Sequence, residues 1–339
     1  MTAAPTSGRA TAGGRWRWAW ISAAAVSAVV LAIFLTQVDV AAVRALAAGA
    51  NAPLLSLAFL GFLGETAAAA LRLRELTPRP HPRRWRDFVA VTALHGIYLA
   101  ILPARLGDAA YVVLMHRRLA LAPGGAFASL LYQRLCDLGV LALFLAASGV
   151  VLVAGAAPSA AALLGVPLAA LVGAGIAVAW LRFDRLLEIA AYWTHRRLGR
   201  RRRAAAWLCR TALQGRRWSA MLGGRARRLR VLAWTVLGWS AMLGGFAVLL
   251  RGLGLETGIA DAVLIGVGYN LIGALPIHSI GGIGVGEAGL AGILVALGHP
   301  LETAVPVALL ARLVLLSAPF VVAGALLPLL VPLRRDGPA

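Results

Sequence analysis

Five ionisable residues stand inside apolar stretches where charge is costly: Asp108, Arg134, Asp137, Glu287 and Arg312. At the centre of a membrane helix such a group costs about 2.5–3.5 kcal/mol to insert. All five therefore require partners, water or a bound ion. Arg134 and Asp137 lie i,i+3 on one helix face and can pair locally. Arginine is a planar fork of donors matched to phosphate. Arg105 stands three residues before Asp108, and Glu287 closes the run Gly281-Gly282-Ile283-Gly284-Val285-Gly286-Glu287. A glycine turn that opens a half-helix offers free N–H groups and a positive dipole end. Arg105, Arg134, Arg312 and the turn containing Gly281, Gly282 and Gly284 thus read as an anion site for a lipid headgroup phosphate. Asp108 and Glu287 would pair with its arginines when it is empty. A structural reading, in which these charges only clamp broken helices to long ones, stays open. His95 and Asn270 occupy matching places ahead of Pro103 and Pro276. Either can hydrogen-bond a headgroup or satisfy backbone at a helix break. Glu65 faces a hydrated cavity or pairs with Arg72, and His278 is a further candidate.

The elements that hold these residues must be membrane helices. The chain has 339 residues, 60% hydrophobic and 14% charged, with mean hydropathy +0.83. A soluble domain carries roughly a quarter charged residues, so this much apolar surface calls for a bilayer. The formal charge is +20, all of it from arginine, because the chain contains no lysine. The arginines cluster at 72–86 and 182–230 between apolar runs, the distribution of cytoplasmic loops. That argues against a nucleic-acid partner. Within 182–230, Phe, Leu, Tyr and Trp alternate with arginine, which suits helices on an anionic inner leaflet, although charge that merely sets topology explains it equally. Cys136 and Cys209 form no metal spacing, and no cofactor is expected.

Runs long enough to cross are 18–35, 52–71, 126–155, 160–181, 231–250 and 303–333, the last containing Pro319. It is tilted, kinked or split, so six to eight spans are expected. Two shorter runs, 88–102 and 260–275, break at Pro103 and Pro276 and then resume. Irregular backbone at membrane depth survives only when buried in protein or lining a cavity. Both read as re-entrant hairpins. With the arginine clusters inside, both termini are cytoplasmic, the first hairpin dips from the inside and the second from the outside.

The halves repeat. From Asp87 to Pro103 is 16 residues and from Asp261 to Pro276 is 15; from Asp108 to Arg134 is 26 and from Glu287 to Arg312 is 25. Paired interrupted segments in inverted halves mark a transporter's midplane site. The predicted architecture is all-α and polytopic: a cytoplasmic tail over 1–17, one transmembrane domain over 18–333 with inverted halves at 52–155 and 231–333, a joining segment 156–230 with a basic cytoplasmic loop 182–230, and a tail over 334–339.

Leu102 to Asp108, then Gln133-Arg134-Leu135-Cys136-Asp137, then Leu275-Pro276 with the run from Gly281 to Glu287, resemble the flippase-like family that includes the transmembrane region of lysylphosphatidylglycerol synthase. The resemblance runs over residues 18 to 333. It implies movement between leaflets of an aminoacylated phospholipid, a polyprenyl-linked sugar or a related lipid. Two positions depart from the family pattern: Asp108 stands for Glu, and Gln133 replaces a Glu before the arginine. The synthase's soluble aminoacyl-transferase domain is not expected in a chain ending soon after Arg335, so a translocator is expected and not an enzyme. The alternative is a membrane-embedded transferase or an accessory subunit of lipid or glycan synthesis. Self-association is left open.

Overall fold

The structure, a computed structural model, describes residues 39–78, 84–102, 106–155, 160–198, 202–274 and 284–326, with Val29 and Ala32 besides. Among them are twelve α-helices and no strand. The helices are α1 Val40–Gly49, α2 Ala52–Leu76, α3 Trp85–Ile101, α4 Leu106–Leu119, α5 Pro123–Gly155 and α6 Ala160–Leu181. They continue as α7 Phe183–Leu198, α8 Arg202–Leu222, α9 Arg225–Gly252, α10 Ile259–Ala274, α11 Val285–Ala296 and α12 Leu301–Ala325. Most of the first expected span, 18–35, lies outside the described residues.

Among the described residues, four helices are long and apolar enough to cross a bilayer: α2, most of α5, α9 and α12. The protein is a polytopic helical membrane protein. The last apolar run is one unbroken helix as far as Ala325, and its residues 327–333 lie outside the described residues. Pro306 and Pro319 both lie within one helix that ends at Ala325. The basic segment 182–230 is helical in its described residues, made of α7, α8 and the first turns of α9. Mixed arginine and apolar residues at helical spacing allow one face to pack while the other stays charged.

The arms of the two broken segments have 17 and 14 residues in α3 and α4, and 16 and 12 in α10 and α11. At 1.5 Å per residue each arm is about 18–26 Å long, short of the ~30 Å hydrocarbon thickness. The arms fold back on one another: Gly107 lies so near Leu99 that a Cβ would come within 2.8 Å of its Cα. Each pair of arms then leads into a long helix, α5 or α12.

The helices α2–α5 and α9–α12 therefore repeat one pattern, and their packing repeats as well. α3 packs on α12 as α10 packs on α5, and α2 packs on α12 as α9 packs on α5. At the centre the two corresponding helices, α2 and α9, cross antiparallel. Asn51 N donates to Gly252 O at 2.8 Å at one end, Gly61 abuts Gly245 in the middle, and Arg230 Nε bonds Glu75 Oε2 at 3.2 Å at the other. Equivalent helices that run in opposite directions are the signature of inverted halves. Lipid supplies no hydrophobic drive for helix association, so the crossing relies on close approach at Ala58, Gly61, Gly238 and Gly245.

One end of this pair is bolted to α8. Arg227 is buried and donates to Thr77 O at 2.5 Å and to the carbonyls of Met221 and Leu222 at 3.2 Å, tying down the ends of α2 and α8. Trp218 Nε1 donates to Leu76 O at 2.8 Å beside a buried aromatic cluster of Tyr132, Phe183 and Trp218.

Candidate functional site

Between the halves lies a cavity of about 410 Å³, walled by α2, α3, α4, α5, α9, α10 and α12. Its polar wall carries Glu65 and Arg72 from α2, His95 from α3, Arg134 and Asp137 from α5, and Arg312 from α12. Much of the rest is apolar, including Phe62, Leu99, Trp239, Met242 and Leu315. Three guanidinium groups from three helices share one partly enclosed space.

Three carboxylates hold these arginines. Arg134 Nη2 donates to Asp108 Oδ1 at 2.5 Å, and His95 Nε2 stands 3.5 Å from the same oxygen. Arg72 Nη1 donates to Asp137 Oδ1 at 2.5 Å, and Trp239 Nε1 donates to that oxygen at 3.1 Å. Arg312 Nε is 3.6 Å from Glu287 Oε1, and the guanidinium also donates to the Tyr269 hydroxyl. The expected local pairing of Arg134 with Asp137 is therefore secondary. Their nearest atoms are 3.9 Å apart, because each residue has a closer partner on another helix. Arg72, the first arginine of the 72–86 cluster, stands apart from the rest of it. Arg72 lines the cavity, seven residues along from Glu65 on the same face of α2.

The glycine turn differs from expectation in one respect. Gly284 has φ +84°, a conformation L side chains rarely adopt, and its N–H donates to Glu287 Oε2 at 2.6 Å. That donor is spent on the protein's own carboxylate. Gly286 matters by proximity, since a Cβ there would lie 3.2 Å from the Arg312 guanidinium carbon. Gly281, Gly282 and Arg105, together with His278, lie outside the described residues. Asn270 lines the cavity but uses its Nδ2 on Gly266 O at 2.8 Å, satisfying backbone within its own helix. Glu65 accepts from Thr66 Oγ1 at 3.4 Å, while Arg72 gives its short hydrogen bond to Asp137.

Several lining residues carried no sequence signal strong enough to single them out. Tyr111 is buried, accepts from Gln133 Nε2 at 2.6 Å and lies 3.1 Å from Ser129 Oγ. This chain of neutral groups occupies the position where Gln133 replaces an acid. Trp239 and Thr235 were legible only as span residues. Arg72 had one usable cue, its seven-residue offset from Glu65 within an unbroken apolar helix.

Chemically the site can hold an anion. The Nε atoms of Arg72 and Arg134 are buried without a hydrogen-bond partner among the described residues, so both guanidiniums retain unspent donors. A phosphate can compete with Asp108 or Asp137 for the same fork.

No curated protein and no solved structure matches the chain. The family described as lysylphosphatidylglycerol synthase TM region matches it over residues 20–324, and the chain belongs to that family.

Proposed function

We propose that the protein moves a phosphate-bearing lipid between the leaflets of the cytoplasmic membrane, with both termini on the cytoplasmic side. The observation that carries this reading is the cavity between antiparallel halves, lined by Arg72, Arg134 and Arg312 and otherwise largely apolar. Arginine forks suit a phosphate, and an apolar surround suits the chains attached to it. Asp108 and Asp137 occupy two of the arginines until a headgroup displaces them. Each ion pair offsets the charge of its arginine, which lowers the cost of keeping charge at this depth.

Alternating access follows from the same architecture. The two hairpins belong to opposite halves, and rocking one half against the other along the α2–α9 crossing would open the cavity to each side in turn. Chemistry on the lipid is not part of this proposal. A translocator needs no second substrate, whereas a membrane-embedded transferase does.

The test is a headgroup-quenching assay in reconstituted vesicles containing a fluorescent phospholipid. Active protein should let a membrane-impermeant reductant bleach inner-leaflet probe with no co-substrate present. Arg134→Ala and Arg312→Ala should insert normally yet bleach no faster than empty vesicles. Wild-type rates in both variants would remove this site from the transport path.

A further inference from the structure

No described side chain of α7 or α8 lines the cavity. Residues 182–230 hold 15 arginines against only Asp184 and Glu188. Both acids are already engaged. Asp184 accepts from Ser219 and from Arg228 at 3.1 Å, and Glu188 meets Arg216 at 2.8 Å. The segment therefore presents a strong, uncompensated positive field.

Helix α7 has two apolar faces. Phe183 and Leu187 are buried, 3% and 9% exposed, against α5 and α8. On the far side, Leu186, Ile189, Tyr192 and Trp193 are 42–59% exposed. At 100° per residue those four fall within an arc of about 120° that also holds Arg185 and Arg196. On α8, exposed Arg210 and Arg217 alternate with exposed Leu213 and Met221 in the same manner. A water-facing helix has no use for such a face.

Its level in the molecule is fixed. Arg182 N bonds Val178 O and Leu186 N bonds Arg182 O, so α7 starts directly where apolar α6 ends. Gly215 sits between Ala128 of α5 and Leu187 of α7. Beside Ala128, Phe127 is 45% exposed, so the outward apolar stripe of α5 reaches the level of the second turn of α7.

We propose that the outward faces of α7 and α8 seat in the headgroup layer of an anionic leaflet, with Leu186, Ile189, Tyr192 and Trp193 at the acyl boundary and the arginines on lipid phosphates. Aromatic and aliphatic residues interleaved with arginine on one helix face bind such a layer by area and charge together. The seat is separate from the cavity and does not depend on what the cavity carries.

The test places a nitroxide on full-length protein in lipid nanodiscs, at Ile189→Cys and separately at Tyr192→Cys, with Glu188→Cys as the off-face reference. Cys209→Ser removes the accessible native thiol, and Cys136 is buried. In discs with about one third phosphatidylglycerol, collision with an aqueous nickel complex at 189 and 192 should fall about threefold or more below that at 188. In discs of phosphatidylcholine alone much of that protection should be lost. Equal nickel access at all three positions overturns the proposal. So does equal protection in both lipids, or spin–spin broadening at 189 that assigns the face to a second copy. Lipid transfer is not the readout, so failure here is distinct from failure of the transport reading.

Discussion

Gly61 and Gly245 touch backbone to backbone where α2 crosses α9: a Cβ on Gly61 would fall 2.7 Å from Gly245 Cα, and one on Gly245 would fall 2.9 Å from Ala58 O. Neither neighbour is a flexible side-chain end, so relief requires the helices to separate. Gly245→Ala should therefore lower stability by about 1–3 kcal/mol, the usual range for overpacking. Gly244 supplies the control, since it is exposed with nothing within 4 Å of its Cβ position. Gly244→Ala should be neutral or stabilising by up to about 1 kcal/mol, because alanine is the better helix former. Thermal unfolding of the detergent-solubilised variants checks both, and equal melting temperatures would show that the crossing is looser than described.

The pair Arg72–Asp137 is well shielded, with side chains 13% and 11% exposed. Removing one partner leaves a charge without its counter-ion, a change that typically costs about 3–5 kcal/mol at buried sites. Arg72→Leu should approach that loss. Asp137→Asn should be milder, because an amide oxygen still accepts from Arg72 and Trp239. Denaturation midpoints of both variants equal to wild type would show that the pair carries no structural weight.

The fork of Arg134 is what the transport reading needs, beyond its charge. Arg134→Lys keeps the cation but cannot bond Asp108 and a phosphate in the same planar geometry. Transfer in the quenching assay should fall about tenfold, between wild type and Arg134→Ala. A lysine variant at full rate would mean that charge alone suffices.

Asp184 links α7 to α8 and α9 outside the membrane spans. Burial acts to raise its carboxyl, but the hydrogen bonds from Ser219 and Arg228 outweigh it and hold the group below the usual carboxylate range. With the folded value below the unfolded one, its contribution is fully present above about pH 3.9 and disappears as pH falls through the lower folded value. Attachment of α7 should therefore be insensitive to pH between about 5 and 8. Asp184→Asn should raise hydrogen exchange across residues 183–222 throughout that interval. Exchange that already climbs between pH 8 and 5 in the wild type would assign the latch to another group.

The sequence by itself determined what is local to the chain. Hydropathy runs marked α2, α5, α9 and α12, because a span is specified by its own composition. Proline and glycine marked where α3 and α10 end, because they act on the backbone where they stand. The order and spacing of Asp108, Arg134, Glu287 and Arg312 announced the repeat. Tertiary structure alone decided who pairs with whom. Helical periodicity pointed Arg134 at Asp137, three residues away, yet Arg134 holds Asp108, 26 residues back, while Asp137 is taken by Arg72, 65 residues distant. Arg227 reaches across 150 residues to Thr77 O. Such choices depend on the register in which helices slide past one another. Contacts such as Gly61 on Gly245 set that register, and no residue's immediate neighbours in the chain encode it.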